Sequence, residues 1–263
     1  MSTATSLTHA LLPAGRLLER NVTRYRRAWV VIVSGFAEPV LYLLGIGFGV
    51  GALVGSVVTQ DGRHLSYAAF VAPALMASST MNGAIYETGF NFFYKLKYMK
   101  LYDGILATPL GIIDIALGEM AWAIVRGNLY ALGFIVVMVA FGLVSSPWAV
   151  LALPAALLTG LAFAALGTAV TTFVRKWQDF DLVLTVLIPL FLFSGTFYPL
   201  DVYPATIRVL VELTPLYHGV HLIRALTTGT PAPSLLLDVA YLVALSVAAL
   251  SLATARLHRL LLK

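Results

Sequence analysis

The chain has 263 residues, of which 60% are apolar and 11% are charged, with a net charge of +5 and no cysteine. Soluble globular proteins average about 45–50% apolar and about 25% charged residues, so this chain has too few charges to cover a water-facing surface. The composition predicts an integral membrane protein and disfavours a soluble enzyme, a disordered tail and a nucleic-acid-binding domain. The lack of cysteine excludes disulfides, thiolate nucleophiles and Cys-ligated metal centres.

Taken in chain order, the apolar runs predict an all-α fold with six membrane spans. A spanning helix needs about 20 mostly apolar residues, because each residue rises about 1.5 Å and the hydrocarbon layer is about 30 Å thick. The second run is the weakest, because it contains several polar residues. The six runs cover residues 28–58, 67–90, 112–144, 148–174, 182–197 and 235–255.

The segment before the first span, residues 1–27, is predicted to lie at the cytoplasmic membrane interface. Within it, residues 7–24 alternate apolar and basic side chains, which fits an amphipathic interfacial helix. A basic flank that only sets orientation fits the same pattern. The apolar run that follows exceeds the roughly 7–15 residues of a signal-peptide core, so we expect the first helix to be retained.

The distribution of lysine and arginine predicts that both termini, including the tail 256–263, are cytoplasmic. Cytoplasmic loops carry the excess of basic residues. Of the seventeen cations, three fall on the outer face of a six-span arrangement and Arg126 falls within a span. The other thirteen share one face: Arg16, Arg20, Arg24, Arg26, Arg27, Lys95, Lys97, Lys100, Arg175, Lys176, Arg256, Arg259 and Lys263.

Two segments between the spans are too polar to cross the membrane. Residues 91–104 combine aromatic and basic side chains, which suits a short cytoplasmic helix that docks on another protein or rests on lipid headgroups. Residues 198–232 are punctuated by proline but keep apolar residues at helical spacing. Broken re-entrant helices in the outer leaflet fit this second pattern, because irregular backbone is not tolerated against lipid.

Ionisable side chains within spans are functional candidates by default, because burying a charge in hydrocarbon is costly. Glu119 and Arg126 lie seven residues apart on one helix face and are predicted as buried charges that pair across helices. Glu87 lies near the cytoplasmic end of its span. Glu38, followed by Pro39, is a pathway candidate or a hydrogen-bonded kink. The predicted pathway set is Glu38, Tyr42, Asn82, Phe191, Phe193 and Phe197.

The sequence contains no nucleotide-binding or enzyme signature. Gly45, Gly47, Gly49 and Gly51 lie within a span and precede no Lys-Ser or Lys-Thr pair, so close helix packing explains them better than phosphate binding. His218 and His221 form the one close histidine pair, and a metal role is disfavoured because no neighbouring carboxylate completes a site. We therefore predict no catalytic residue, no bound metal and no cofactor in this chain.

The order of these segments resembles the ABC-2 family of ATP-binding-cassette exporter permeases. Two stretches carry the resemblance. One contains Phe70-Val-Ala-Pro73-Ala-Leu-Met, Tyr102-Asp-Gly-Ile-Leu-Ala-Thr-Pro109-Leu and Asp114-Ile-Ala-Leu-Gly118-Glu. The other contains Phe193-Ser-Gly195-Thr-Phe197-Tyr-Pro199-Leu, Leu213-Thr-Pro215-Leu and Ile223-Arg224-Ala-Leu. The chain looks most like the nodulation-type lipooligosaccharide exporters and their daunorubicin-resistance relatives.

This resemblance implies a plasma-membrane half-transporter. Two permease subunits, identical or paralogous, would pair with two cytoplasmic ATPases that bind ATP and Mg²⁺, and an amphipathic saccharide lipid would be exported. Segment 91–104 corresponds to the coupling helix that seats in the ATPase, and segment 198–232 to the re-entrant helices. The ATPase-coupling residues are then Phe93, Tyr94, Lys95, Lys97, Tyr98, Lys100 and Leu101.

Three other functions stay open at this stage. A drug or antibiotic efflux permease of the same family is the nearest. A proton-coupled transporter could use Glu38, Glu87 and Glu119 as a relay, although related halves expected of such a transporter are not seen. A membrane transferase could use Asp201, Glu212, His218 and His221, although they form no tight acid–base cluster in the sequence.

Overall fold

The computed structural model describes residues 37, 39–59, 62–107 and 109–261. The predicted interfacial segment 1–27 and the pathway candidate Glu38 lie outside these residues. Helices account for most of the described chain. They are α1 (Pro39–Val54), α2 (Tyr67–Tyr98), α3 (Leu101–Leu106), α4 (Ile112–Ala140), α5 (Pro147–Thr171), α6 (Phe180–Leu192), α7 (Ala205–Glu212), α8 (Pro215–Thr228) and α9 (Leu235–Leu261).

Four of the described helices, α2, α4, α5 and α9, are long and apolar enough to cross a membrane. The other two predicted spans are shorter where they are described. The described part of the first, α1, ends at Val54, and α6 has 13 residues. The structure is thus that of an integral membrane protein in which four spans are evident by length and composition.

The first predicted span was drawn too long, because α1 is followed by a β-hairpin. Gly55 has a φ of 75°, a conformation that side-chain-bearing residues rarely adopt, and it ends the helix. Strand β1 (Ser56–Val58) then pairs antiparallel with β2 (His64–Ser66). Consecutive β-branched valines favour this extended pairing. The predicted all-α fold therefore contains one small hairpin before α2.

The predicted coupling helix is not a separate element. Helix α2 continues from Tyr67 to Tyr98 as one helix of 32 residues, with π-helical turns at Tyr86–Asn91 and Tyr94–Tyr98. The chain breaks at Lys100, which has a left-handed backbone with φ of 46°, and α3 begins at Leu101. The aromatic and basic side chains predicted for a coupling helix therefore lie at the end of the long apolar helix itself.

Helix α2 is the centre of the bundle, since 89% of its most apolar stretch is buried within the chain. It packs against α4, α5 and α8, and α5 packs in turn against α9. Glycines allow these contacts: a Cβ on Gly83 would lie 3.1 Å from the ring of Tyr130, and one on Gly160 would lie 2.9 Å from Thr80. Close approach through small residues is the usual packing device of membrane helices.

Two of the four glycines of α1 pack closely against α2. A Cβ on Gly51 would meet Tyr67 of α2 at 3.5 Å, and one on Gly47 would lie 3.7 Å from the Cα of Ala68. Gly45 has no atom within 4 Å of its built Cβ, and Gly49 meets only a backbone oxygen of its own helix. The close contacts predicted for α1 therefore involve Gly47 and Gly51, while the tightest ones lie elsewhere in the bundle.

Candidate functional site

A buried ion-pair network joins α2 to α4. It consists of Glu87 and Lys95 on α2 and Glu119 and Arg126 on α4, and all four residues are at most 9% exposed. The Lys95 ammonium lies 2.5 Å from Glu119 and 3.4 Å from Glu87, and the Arg126 guanidinium donates to Glu87 at 2.8 Å. Among the described residues, two cations face two carboxylates in this network.

Helical spacing explains how the network assembles. Glu87, Asn91 and Lys95 recur every four residues, which places them on one face of α2. Asn91 donates its amide to Glu87 at 2.9 Å, and Arg126 donates its Nε to the hydroxyl of Tyr130 at 2.8 Å. Glu119 pairs with Lys95 of α2, and Arg126 pairs with Glu87 of α2, so each forms an ion pair across helices. Lys95 was not predicted as a member of this network, although Glu87, Asn91 and Lys95 are spaced four residues apart in the sequence.

The position of Lys95 changes the predicted ATPase-coupling set. Lys95 and Phe93 are buried, at 4% and 1% exposure, so neither side chain is available to a docked partner in this conformation. Leu101 is half-buried against the cluster around Tyr102. The side chains that do reach the surface are those of Tyr94, Lys97, Tyr98 and Lys100. We call these four residues the cytoplasmic face, after the side of the membrane that the sequence predicts for them.

Aromatic rings behind the cytoplasmic face hold it in place. Phe93 packs edge-on to Phe180 with ring centroids 5.3 Å apart, and Phe90 stacks on Phe180 at 4.3 Å. Trp177, in the turn before α6, contacts the same rings. That turn is closed by Asp179, whose carboxylate accepts backbone N–H bonds from residues 175 and 176 that hold its pKa below the usual range. The buried Phe93 thus supports the face rather than forming it.

A cavity of about 410 Å³ lies between α1, α2, α4 and α6. Three of the predicted pathway residues, Tyr42, Asn82 and Phe191, line it, and so does Arg126 of the ion-pair network. Its volume falls within the roughly 300–1,000 Å³ of small-ligand sites. We call it the inter-helix cavity. Its walls come from helices far apart in sequence, so only the folded bundle creates it.

Two further predicted pathway residues, Phe193 and Phe197, are not among the residues that line this cavity. Phe197 is buried and packs edge-on to Phe191 with centroids 5.2 Å apart, so it touches a lining residue. Phe193 is 47% exposed and contacts the ring of Tyr203. Residues that the sequence did not single out also line the cavity, among them Ser78, Ser79 and Tyr86. Small hydroxyl side chains in a helix give no distinct signal in a sequence.

A second cluster of side chains joins α8 to α9. The carboxylate of Asp238 lies 2.7 Å from Nδ1 of His218 and 2.7 Å from Nδ1 of His221. The histidine pair was predictable from the sequence but its carboxylate partner was not, because Asp238 is distant in the chain. Within the described residues no group of three or more His, Asp and Glu side chains is arranged to hold a metal ion. The cluster therefore joins α8 to α9 through two hydrogen bonds.

We expect His218→Gln to lower the free energy of unfolding by about 1–3 kcal/mol, the cost of disrupting a buried hydrogen bond. His218 is the more buried partner and also stacks on Tyr241 with centroids 3.9 Å apart. The matched variant His221→Gln should cost less, because that side chain is 41% exposed. Thermal unfolding in mild detergent measures both. Equal losses for the two variants would contradict this ranking.

Arg224 fastens the middle of α8 to the start of α2 and to the loop after α6. Its guanidinium donates to the carbonyl oxygens of Phe70 at 3.1 Å and Gly195 at 2.7 Å, and lies 3.9 Å from the centre of the Phe70 ring. Burial lowers the pKa of Arg224 to about 9, which leaves the side chain charged at neutral pH. Both carbonyls belong to the stretches that carry the family resemblance.

Several long apolar helices packed around an internal cavity define a multi-pass membrane protein. The sequence profile of the family described as "ABC-2 type transporter" matches residues 15–227 of this chain. The chain therefore belongs to the ABC-2 type transporter family, whose members are membrane permeases, and the resemblance noted in the sequence is confirmed.

The curated relatives are similar over nearly the whole chain. Nodulation protein J of Rhizobium leguminosarum bv. trifolii is 35% identical over 96% of this chain and 97% of that protein. Nodulation protein J of R. leguminosarum bv. viciae is 34% identical over 97% and 99% of the two chains. The protein of the same name from Rhizobium meliloti (strain 1021) is 33% identical over 92% of each. The chain is thus an ABC-2 permease of this type.

Proposed function

We propose that this chain is the transmembrane subunit of an ATP-driven exporter that moves an amphipathic, lipid-linked saccharide or glycolipid out of the cell. In this proposal α1 and α6 complete six spans in the plasma membrane, with both termini in the cytoplasm. Two copies, or one copy and a paralogue, form the pathway with two cytoplasmic ATPases. The sequence has no phosphate-binding loop of its own, which is consistent with nucleotide binding by a separate subunit.

One observation carries the proposal: the element that presents the cytoplasmic face is continuous with the wall of the inter-helix cavity. Tyr94 and Tyr98 lie at the end of the same helix that contributes Ser79 and Asn82 to the cavity. Lys95 lies between the two tyrosines and forms an ion pair with Glu87. Glu87 also pairs with Arg126, which lines the cavity. A push on the cytoplasmic face therefore has a rigid, contiguous route to the cavity.

The remaining candidates have less support. Glu87 and Glu119, which a proton relay would use, are both engaged in ion pairs with cations. The two histidines proposed for a transferase are held by Asp238, and Asp201 pairs with Arg208. Drug efflux by a permease of the same family stays the nearest alternative.

We expect Tyr98→Glu to abolish association with the cytoplasmic ATPase while the protein still inserts and folds. Tyr98 is 61% exposed and stacks with Tyr94, so a carboxylate there would interrupt the aromatic surface of the cytoplasmic face. The measurement is affinity purification in mild detergent, with mass spectrometry to identify a Walker-motif ATPase.

The matched control is Tyr198→Glu, a tyrosine of similar exposure (53%) in the outer segment, which should leave association unchanged. ATP-dependent uptake of a labelled glycolipid into inverted vesicles then tests transport itself. Purification of the intact parent chain without any such ATPase would refute the proposed function.

A further inference from the structure

Arg256, near the end of α9, lies against the end of α5. Its guanidinium carbon lies 4.0 Å from the centre of the Phe173 ring, and its Nη2 donates to the carbonyl oxygen of Thr172 at 3.3 Å. The side chain is partly exposed, and its Nε and Nη1 take part in none of the hydrogen bonds among the described residues. The two contacts therefore hold a cation in a fixed place while most of its N–H donors stay unused.

Three further cations lie close to this arginine. Arg259 follows Arg256 by three residues, about 4.5 Å along the axis and on the same side of α9. Arg175 and Lys176 follow Phe173 by two and three residues, so their Cα atoms lie within about 8 Å and 12 Å of its own. All three side chains are exposed, and none of the four cations forms an ion pair with a described residue. We call Arg175, Lys176, Arg256 and Arg259 the basic cluster.

Two carboxylates of the neighbouring turn are directed elsewhere. One oxygen of Asp179 accepts the backbone N–H groups of Arg175 and Lys176 at 2.8 and 3.0 Å. Asp181 lies in the first turn of α6, where a helix N-terminus favours a negative charge. The cations of the basic cluster are thus gathered at the ends of two helices without an ion-pair partner in the described chain. Like charges held this close repel each other, and a bound anion would relieve that repulsion.

The flank of α5 and α9 next to the basic cluster is apolar and exposed. Val170 lies one turn before Phe173, and Leu252 lies one turn before Arg256, so both continue the same sides of their helices. The exposed fractions are 39% for Val170, 52% for Phe173 and 47% for Leu252. Trp177, beside the cluster, is 46% exposed, and tryptophan is typical of the head-group level of a membrane. The surface therefore offers cations at head-group level and an apolar wall along the two spans.

We propose that the basic cluster binds the head group of an anionic phospholipid, whose acyl chains lie along the apolar flank of α5 and α9. The inference goes beyond the proposed function and rests on it only for the side of the membrane, since it assigns the lipid to the cytoplasmic leaflet. The negative surface potential of that leaflet attracts cations next to a membrane span. A soluble anion or an acidic protein surface would meet the same charges but would leave the apolar flank uncovered.

The test titrates the full chain, purified in a neutral detergent, with single phospholipids and counts the bound lipids by native mass spectrometry. Dioleoyl phosphatidylglycerol is the anionic probe, and dioleoyl phosphatidylcholine shares its acyl chains but has no net charge. We expect the first phosphatidylglycerol to bind at least about tenfold more tightly, from two or more cations each contributing about fivefold. Equal affinities would overturn the inference. Displacement of the lipid by millimolar glycerol 3-phosphate would also overturn it, because the site would then take a soluble anion.

Single charge variants locate the site. Arg259→Gln and Arg175→Gln should each weaken phosphatidylglycerol binding about fivefold and leave phosphatidylcholine binding unchanged. Both side chains are exposed, so neither variant should disturb the fold. Arg208→Gln is the matched control, because it removes the same charge from α7, where the side chain pairs with Asp201, and its lipid affinity should equal that of the parent. Arg256→Gln should show the largest loss, since it removes the cation that is fixed against Phe173.

Thermal stability and ATPase association are measured on the same preparations. Reduced phosphatidylglycerol affinity of Arg259→Gln and Arg175→Gln at unchanged stability supports the inference. Affinities equal to that of the parent would overturn it. Loss of ATPase association in these variants with unchanged lipid affinity would also overturn it, because the cluster would then be a protein-docking surface. A parent chain that prefers phosphatidylglycerol but recovers no ATPase would instead refute the proposed function and leave the lipid site standing.

Discussion

Glu87→Gln is expected to destabilise the protein more than other single substitutions in the ion-pair network. Glu87 is fully buried and lies between Lys95 at 3.4 Å and Arg126 at 2.8 Å, so its neutralisation removes the carboxylate that both cations face. Removing one partner of a buried ion pair typically costs about 3–5 kcal/mol. A fall in melting temperature of roughly 5–10 °C in mild detergent follows from that loss.

The compensating double variant Glu87→Gln/Arg126→Met separates charge balance from packing. It removes one of the two cations that faced the lost carboxylate, so we expect it to recover more than half of the lost stability. Asp103→Asn, at an exposed carboxylate of α3, is the matched control and should change stability by less than about 0.5 kcal/mol. A Glu87→Gln protein that melts with the parent would show that the ion pairs contribute nothing to the fold.

Gly167→Ala should have the second-largest effect, through packing rather than charge. A Cβ at residue 167 of α5 would lie 2.2 Å from the Oγ1 of Thr88, whose hydroxyl donates to the carbonyl of Ala84. Either Thr88 rotates and loses this hydrogen bond, or α5 moves away from α2. Forcing extra atoms into a packed interior typically costs about 1–3 kcal/mol. Thermal unfolding measures the loss.

Two further variants make this test specific. Gly104→Ala places the same methyl group where nothing lies within 4 Å, so it should be neutral or slightly stabilising. The double variant Gly167→Ala/Thr88→Ala removes the obstructing side chain and should recover stability, which a double-mutant cycle quantifies. Additive losses in that cycle would mean that residues 88 and 167 do not obstruct each other, contrary to the structure.

Several features of the fold were predictable because they depend on composition along the chain. Runs of apolar residues identified α2, α4, α5 and α9, since a spanning helix satisfies all its backbone hydrogen bonds internally. Proline punctuation anticipated the broken helices α7 and α8 between spans. The ends of elements were less predictable. Gly55 ends α1 early, and α2 runs through to Tyr98 with no break before the predicted cytoplasmic helix.

The site was predictable only in part. Tyr42, Asn82 and Phe191 do line one cavity, and Tyr94 and Tyr98 do reach the surface. Lys95 was placed with the surface lysines because its neighbours are lysines, but it points inward to Glu119. Ser79 escaped notice because its unpaired hydroxyl is visible only when its neighbours' hydrogen bonds are known.

The sequence by itself determined that the chain is a membrane protein and which of its segments are too polar to span the membrane. It also determined the family that the chain resembles. These properties follow from transfer free energies and motif order, which sum along the chain. Only the tertiary structure decided that Glu87 pairs with Arg126, 39 residues away, and that Asp238 joins two histidines of another helix. Such pairings depend on how helices cross in space, and no local pattern in the chain encodes which buried charges will meet.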